Sequence, residues 1–164
     1  MIEFVLKNRK FRLHPDGIMY VRAHYRGEET KSVKWKQVKF SKTDCKYKHC
    51  HISIDGVDKT ILEHRMVYYA NNQSWDIFDT SRDNLIDHIN RNRLDNRIEN
   101  LKLATHQQNM WNTNAKGYYK KPNGKYVVRI KLPDGKRKQV GTFNTEEEAH
   151  NAYLKAKNTY HIIE

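Results

Sequence analysis

The sequence has few apolar residues and no long apolar run. Hydrophobic residues make up 37% of its 164 positions, a share below that of most globular chains, so any core is small or divided between small units. No stretch approaches the ~18–20 consecutive apolar residues that a membrane-spanning helix needs. The first residues, "MIEFVLKNRKFRLH", carry charges inside their short apolar stretch and make a poor signal peptide. We therefore expect a cytoplasmic protein.

Cysteine is scarce as well. The two cysteines, Cys45 and Cys50, lie near two histidines in "DCKYKHCHIS". A zinc knuckle usually has two residues between its thiols and a second ligand pair elsewhere, and this spacing does not fit that pattern. The alternation in "YKHCHISIDG" instead favours a strand with Cys50, Ile52 and Ile54 on one face. We expect no structural zinc.

Acidic residues are too few to balance the basic ones. The chain has 31 Lys and Arg against 19 Asp and Glu, which gives a net charge of +12 and a pI of about 9.7. A polyanionic partner explains this excess best, and nucleic acid comes first. An anionic membrane surface comes second, but no amphipathic helix with a bulky apolar face is found. Because the basic residues are spread along the chain, we expect a folded surface that contacts a duplex.

The first part of the chain carries the signals of β structure. Residues 1–63 are predicted to be β-rich, with turns at residues 15–17 and 55–56, and the second turn closes a hairpin in "CHISIDGVDKTILEHR". A helix is predicted from about residue 62 to residue 72, followed by a loop over 73–84. A weaker alternation would place four residues on one strand face: Val33, Trp35, Gln37 and Lys39.

The most unusual segment is "LIDHINRNRLDNRIENLKLATHQQN", which is rich in Asn yet has an aliphatic residue at every third or fourth position. The pattern predicts a short strand, a long shaped loop, a second strand over 101–103 and a helix over 105–112 that opens with an S/T-x-x-E/Q capping box. Four loop asparagines can bond neighbouring backbone groups: Asn90, Asn92, Asn96 and Asn100. We therefore expect a loop that holds one shape.

Three side chains of this segment suit a hydrolytic site. Asp87 and His88 lie on the first predicted strand, and the strand–loop–strand–helix turn can bring Asn109 back against them. Carboxylate and amide oxygens are hard ligands that suit Mg²⁺ and leave positions open for water and phosphate. An imidazole alongside can take a proton from an attacking water at neutral pH. The group predicts phosphodiester hydrolysis; the alternative is a surface Asp–His pair without chemistry.

After residue 115 the sequence predicts a module of three strands and one helix. Hairpin turns are expected at 123–124 and 134–135, and a capping box of Thr145 and Glu148 opens the helix. The inner helix face carries Ala149, Ala152, Tyr153 and Ala156. One sheet face carries Val128 and Ile130, and the other carries Val127, Arg129, Lys131, Arg137 and Gln139. Because the charge of the second face has one sign, we favour nucleic acid over a merely solvated face.

The stretch "IDHINRNRLDNRIENLKLATHQQN" closely resembles the HNH nuclease motif, in the form found in phage and intron-encoded homing endonucleases. The matching residues are Asp87 and His88, "DNRIENL" over 95–101 and a closing Asn109; Asp95 stands where the family frequently has Asn. Upstream, "EHRMVYYA" resembles the helix that precedes the motif, and we expect its His and Arg to make packing or backbone contacts. The resemblance covers roughly residues 45–113.

This resemblance implies a role for each matched residue. His88 is the general base, Asp87 and Asn109 are metal ligands, and Asn100 braces the loop and the base. It also implies one divalent cation per active site, with Mg²⁺ first and Mn²⁺ or others as alternatives.

The C-terminal module resembles the ethylene-response-factor (Apetala-type) DNA-binding domain, which also occurs in homing endonucleases. The matches include Gly117, "GKY" at 124–126 and "GTF" at 141–143. In that family the three-stranded sheet lies in the major groove. The plant domains often have Trp on that face where this chain has Asn123 and Gln139, so the target sequence does not transfer. The DNA contacts expected are Arg129, Lys131, Arg137, Gln139, Lys121 and Arg93.

Together these patterns predict an α+β fold in three parts. Residues 1–44 form a β-rich region that is a candidate DNA contact, 45–113 a ββα-metal nuclease core, and 114–164 the Apetala-type module. The predicted activity is a metal-dependent, site-specific endonuclease on double-stranded DNA, by a nick or a double-strand break. A catalytically inactive DNA-binding regulator is the alternative, and an RNA-directed nuclease is a third hypothesis. We expect no membrane or small-molecule partner, a monomer or C2 homodimer, and the host cytosol if the chain is phage-encoded.

Overall fold

The computed structural model describes residues 1–23, 34–42 and 47–161, which form an α+β fold of antiparallel sheets and few helices. The chain divides into two compact units, Met1–His106 and Gln107–Glu164. Within the described ranges, no helix is long and apolar enough to cross a membrane. The strand position predicted for Val33, and any role of Cys45, lie outside the described residues.

The first unit contains most of the strands, and its part up to residue 63 is β-rich, as predicted. Its strands are β1 (Ile2–Leu6), β2 (Arg9–Leu13), β3 (Met19–Arg22), β4 (Trp35–Gln37), β5 (Ser41–Lys42), β6 (Lys48–Ile54), β7 (Val57–Leu62), β8 (Leu85–His88) and β9 (Leu101–Ala104). Strands β1 to β4 form one sheet in sequence order, β5 to β7 a second, and β8 with β9 a third. Helix α1 (Glu63–Asn71) follows β7 directly, and a single 3-10 turn (Ile98–Asn100) precedes β9.

One hydrophobic core runs through the described part of the first unit. Phe4 of β1 and Phe11 of β2 stack with ring centroids 5.2 Å apart. Met66 of α1 and Ile86 of β8 belong to the same buried cluster. Complete burial of such a side chain contributes ~1.5–3 kcal/mol. The N-terminal sheet and the strand β8 are therefore stabilised by the same core.

The β6–β7 hairpin confirms its prediction. Cys50, Ile52 and Ile54 are all buried and share one face. Asp55 and Gly56 have φ of 50° and 77°, the left-handed values that a tight two-residue hairpin turn requires. Burial first, and then the nearby Glu63 carboxylate, raise the pKa of the Cys50 thiol to about 12. Cys50 is thus an inert core residue at neutral pH.

Arg65 of α1 closes the loop over residues 73–84. Its guanidinium donates hydrogen bonds to the backbone oxygens of Ile77 (2.7 Å), Asp79 (2.7 Å) and Asn84 (3.3 Å). This confirms the backbone contacts predicted for the Arg of "EHRMVYYA". A side chain that gathers three carbonyl groups fixes the approach of the chain to β8.

The second unit is a three-stranded antiparallel sheet packed on a helix, as predicted. Its elements are β10 (Tyr118–Lys120), β11 (Tyr126–Lys131), β12 (Arg137–Phe143) and α3 (Glu146–Tyr160). The predicted capping box is present: Thr145 accepts a hydrogen bond from the Glu148 amide, and Glu148 accepts one from the Thr145 amide. Val128, Ala149 and Tyr153 form the buried cluster between sheet and helix. A short helix, α2 (His106–Trp111), spans the division between the units.

One detail of β11 differs from the prediction. The alternating pattern places Val127 on the exposed face with Arg129 and Lys131, yet Val127 is completely buried while the other two are exposed. Alternation gives the direction of a side chain and not what covers it, so the pattern could not distinguish these positions. The pairing of β11 and β12 also shifts at Val128/Arg129, which leaves Val140 without a pairing partner in β11.

Candidate active site and DNA-binding surface

The β8–β9 ribbon holds Asp87 and His88 at its end. Asp87 pairs with Lys102 and His88 with Leu101 in the antiparallel register. The two polar residues are buried, with only 7% and 4% of their surfaces exposed. They are therefore not the surface pair that stood as the alternative, because burial of a carboxylate and an imidazole requires specific partners.

Asn100 braces the loop that follows His88. Its side-chain oxygen accepts a hydrogen bond from the Asn90 amide (2.9 Å), and its side-chain nitrogen donates to the Asp95 carbonyl (2.7 Å). The backbone oxygen of Asn100 accepts a third bond, from the Ile89 amide. Asn100 is itself buried. These bonds join the start and end of the loop, and they confirm that asparagines hold its shape.

Asp95, the departure from the family pattern, has a structural reason. Its two carboxylate oxygens accept bonds from Nε and a terminal nitrogen of Arg97, both at 2.8 Å. One of these oxygens also accepts from the Asn90 side chain (2.7 Å). The bond from Arg97 is the main cause that lowers the pKa of the Asp95 carboxyl. An Asn at this position has one acceptor oxygen and could not offer a separate oxygen to each of the two guanidinium nitrogens.

The ring of His88 is bonded by Asn96. Its Nε2 lies 2.8 Å from the side-chain oxygen of Asn96. The side-chain nitrogen of Asn96 in turn donates to the Glu63 carboxylate, which pairs with the Lys48 ammonium at 3.3 Å. The loop, α1 and β6 thus converge behind the imidazole. Asn96 was predicted to bond backbone groups, but its side chain contacts the side chains of His88 and Glu63 instead.

Aromatic rings flank the imidazole of His88. The ring of His64 lies 5.1 Å from it and that of Tyr47 lies 6.2 Å from it, between centroids. Burial, and then the neighbouring His88 and Arg65, lower the pKa of His64 to about 3. His64 is therefore neutral at physiological pH and acts in packing, as predicted. Arg93 lies over the other side of Tyr47, 5.1 Å from its ring centroid.

The predicted metal ligands have hard oxygen donors. Asp87 lies on β8, and Asn109 lies in α2, in the part of the chain assigned to the second unit. Their approach to one another stays a prediction. In the described ranges no cluster of three or more His, Cys, Asp or Glu could hold a metal ion. One carboxylate and one amide fit Mg²⁺, which keeps several waters and substrate oxygens in its shell.

The exposed face of the β11–β12 pair gathers four of the predicted DNA contacts. Arg129 lies opposite Gln139 and Lys131 opposite Arg137, and all four are exposed. Tyr119 joins them, since the Arg129 guanidinium lies 5.5 Å from its ring centroid. Lys121 is exposed just after β10. Arg93 lies on the loop of the first unit, and its contact with DNA stays a prediction.

Comparisons with known proteins bear on the first of these sites. Residues 83–111 match the family model described as HNH endonuclease, and this range contains Asp87, His88, Asn100 and Asn109. The segment over residues 83–111 is therefore similar to the HNH endonuclease family, and we call it the HNH segment. In the structure, the HNH segment comprises β8, the asparagine-braced loop, β9 and α2.

Two curated relatives extend the comparison. The chain is 36% identical over 72 residues to the uncharacterized HNH endonuclease L560 of Acanthamoeba polyphaga mimivirus, which covers 42% of this chain and 38% of the relative. It is 39% identical over 69 residues to the ethylene-responsive transcription factor ERF117 of Arabidopsis thaliana, which covers 39% of this chain and 21% of that protein. The second match supports an ethylene-response-factor type of domain. The chain thus spans well under half of either relative, and no solved structure matches it.

Sequence reasoning missed several residues of these sites. Glu63 and Lys48 lie far from the HNH segment in sequence, and only the fold places them behind Asn96. Tyr119 was missed on the exposed sheet face. It lies between Tyr118 and Lys120 on β10, and the alternation of side chains along a strand could have placed it there. A buried carboxylate at the first position of α1 has no sequence signal of its own.

Proposed function

We propose that this protein is a metal-dependent DNA endonuclease whose HNH segment hydrolyses phosphodiester bonds. The observation that carries this proposal is the buried Asp87–His88 pair at the end of β8, within a segment that matches the HNH endonuclease family. A nuclease needs a base, a cation ligand and a fixed geometry, and the braced loop supplies the third.

In this proposal His88 takes the proton from the attacking water. The imidazole suits this role because a ring nitrogen that carries a lone pair can accept a proton from water. Asp87 and Asn109 hold one divalent cation, with Mg²⁺ as the first choice. When bound, the cation stabilises the negative charge that develops on the leaving 3′-oxygen. Asn100 acts on the reaction by holding the loop that follows His88.

The exposed face of β11 and β12 is proposed to bind double-stranded DNA. Two cross-strand pairs place Arg129, Lys131, Arg137 and Gln139 side by side. Arg and Lys neutralise phosphates, and Arg and Gln can bond base edges in the major groove. Site-specific cleavage would follow from the presence of this DNA-binding surface and the HNH segment in one chain.

A plasmid assay tests the proposed activity. Supercoiled plasmid incubated with the protein and Mg²⁺ is expected to become nicked or linear, and a chelator is expected to stop the reaction. Nicked product alone would indicate a nickase, whereas linear product would indicate cutting of both strands, by a C2 dimer or by two successive nicks. DNA binding without any cleavage over a range of divalent cations would reject the nuclease and favour a DNA-binding regulator.

A salt titration tests the proposed DNA surface. Arg129→Ala and Arg137→Ala, made singly, are each expected to weaken binding and to reduce the slope of log K against log salt by about 1, as expected for one lost phosphate contact. Lys155→Ala is the matched control, because Lys155 is exposed on α3, which packs against the other face of the sheet. Equal slopes for the arginine variants and the control would reject this surface.

A further inference from the structure

Behind His88 the structure holds a chain of four polar side chains. Lys48 Nζ lies 3.3 Å from Oε2 of Glu63. The same carboxylate oxygen accepts a hydrogen bond from Nδ2 of Asn96, and Oδ1 of Asn96 lies 2.8 Å from Nε2 of His88. Glu63 and His88 are both buried, with 9% and 4% of their surfaces exposed. The chain joins β6, α1, the loop and β8 at one point.

The chemistry of these groups fixes the direction of each hydrogen bond. A carboxylate paired with an ammonium group offers only acceptor oxygens, so the Asn96 group that faces Glu63 must be its NH₂. The other end of the amide, which faces His88, is then the carbonyl oxygen, and a carbonyl oxygen can only accept. The bond therefore requires a hydrogen on Nε2 of the imidazole. In a neutral imidazole this leaves the lone pair on Nδ1.

We propose that Glu63 and Asn96 are positioning residues that hold His88 as the neutral tautomer with its hydrogen on Nε2 and its lone pair on Nδ1. The catalytic consequence rests on the proposed nuclease function, because a general base must present its lone pair to the attacking water. The tautomer itself is a property of the protein alone. Neither Glu63 nor Asn96 touches the reacting atoms in this proposal.

Glu63 has a distinct part in the arrangement. An Asn side chain can rotate by half a turn and exchange its oxygen and nitrogen, which would present a donor to His88 and favour the opposite tautomer. The Glu63 carboxylate opposes this rotation, because the turned amide would place an oxygen against a negatively charged oxygen. Lys48 holds the carboxylate in place. The rings of His64 and Tyr47 flank the imidazole and restrict its own rotation.

The tautomer can be measured without DNA or metal. Long-range ¹H–¹⁵N correlation spectra distinguish a protonated from an unprotonated ring nitrogen, and the signals lost in His88→Ala identify the His88 ring. At mildly alkaline pH, the wild-type ring is expected to carry its hydrogen on Nε2. A hydrogen on Nδ1, or an even mixture of the two forms, would overturn the proposal.

A variant tests whether Asn96 is the cause. Asn96→Ala removes the acceptor, so the spectrum is expected to show both tautomers in exchange. An unchanged Nε2–H form in Asn96→Ala would show that another group fixes the ring, and it would overturn the assignment. The wild-type measurement remains decisive if this variant does not fold.

Cleavage kinetics test the consequence for the reaction. Glu63→Ala and Asn96→Ala are expected to lower kcat by about 10–100-fold, as for other groups that orient a reacting side chain, with KM for DNA unchanged. Glu99→Gln is the matched control: it removes one exposed carboxylate from the same loop region and is expected to leave kcat unchanged. A rise in KM with kcat unchanged would contradict a positioning role. An equal fall of kcat in the Glu99→Gln control would contradict it as well.

An exchange of the two groups provides a rescue. In the double variant Glu63→Gln/Asn96→Asp, the Gln amide donates to the new carboxylate, which still accepts from Nε2–H of His88. Its kcat is expected to exceed that of both single exchanges by about tenfold. A double variant no faster than the better single one would reject the chain of contacts. If the wild type does not cleave DNA, the nuclease proposal fails. The tautomer measurement still decides whether Glu63 and Asn96 position His88.

Discussion

Gly117 is the position at which one added methyl group should do the most damage to the second unit. Its φ is +76°, and a Cβ built on it would lie 1.9 Å from Cγ of Tyr153 and 2.2 Å from Cδ1 of the same ring. Tyr153 belongs to the buried cluster with Val128 and Ala149. The ring cannot move without opening the contact between the sheet and α3. Gly117→Ala is therefore expected to destabilise the unit through both backbone strain and overpacking.

Gly124 provides the matched control, because its φ is +82° and a Cβ there meets nothing within 4 Å. At either position the left-handed backbone destabilises a residue that has a side chain by ~1–2 kcal/mol. Replacing Gly by Ala also lowers the entropy of the unfolded chain, which offsets ~0.4–1 kcal/mol of that cost. Overpacking adds ~1–3 kcal/mol at Gly117 alone. We expect Gly124→Ala to cost about 1 kcal/mol and Gly117→Ala about 2–4 kcal/mol.

Hydrogen exchange of the β11 amides in increasing urea measures the unfolding of this unit separately from the first unit. The free energy from the Val128 amide is expected to fall by about 1–3 kcal/mol more in Gly117→Ala than in Gly124→Ala, which is the overpacking contribution. Equal losses in the two variants would refute the reasoning, because they would leave no cost for the contact with Tyr153.

Two further predictions concern the first unit. Asn100→Ala removes two hydrogen bonds, each with a net value of about 1 kcal/mol, so the free energy of unfolding is expected to fall by about 2 kcal/mol and the Asn90 amide to lose protection from exchange; full protection would contradict the bracing role. The pKa of His64 is lowered from 6.5 to about 3 in the folded chain, so the unfolded chain binds a proton there first and stability falls as the pH drops from about 6.5 towards 3. Between pH 7 and 5 the protonation of His64 lowers the free energy of unfolding by about 2 kcal/mol. The urea midpoint of His64→Gln should therefore fall less over this pH range than that of the wild type. Equal falls would exclude His64 as the cause.

Local signals predicted most of the elements near the candidate site. The Asp-Gly turn at 55–56, the alternation around Cys50 and the capping box at Thr145 each act over a few residues, and the structure follows them. The bonds of Asn90 with the Asn92 and Asn100 positions also lie within the HNH segment itself. These features were predictable because the residues that cause them are neighbours in sequence.

Other features depend on packing between distant segments, and the sequence did not reveal them. Asn96 and Glu63 are 33 residues apart, and no periodicity relates a loop amide to the first residue of a helix. The common core of the N-terminal sheet and β8 also arises from contacts between distant segments. The burial of Val127 was missed for a similar reason, because alternation along a strand does not tell what covers the side chain.

The rate at which the His88→Ala variant cleaves plasmid tests the proposed nuclease most directly. At DNA concentrations that give equal occupancy in a gel-shift assay, loss of a general base is expected to slow Mg²⁺-dependent plasmid cleavage by about 100-fold or more, with the affinity for DNA unchanged. A variant that binds and cuts plasmid at the wild-type rate would contradict the role of His88 and, with it, the proposed active site.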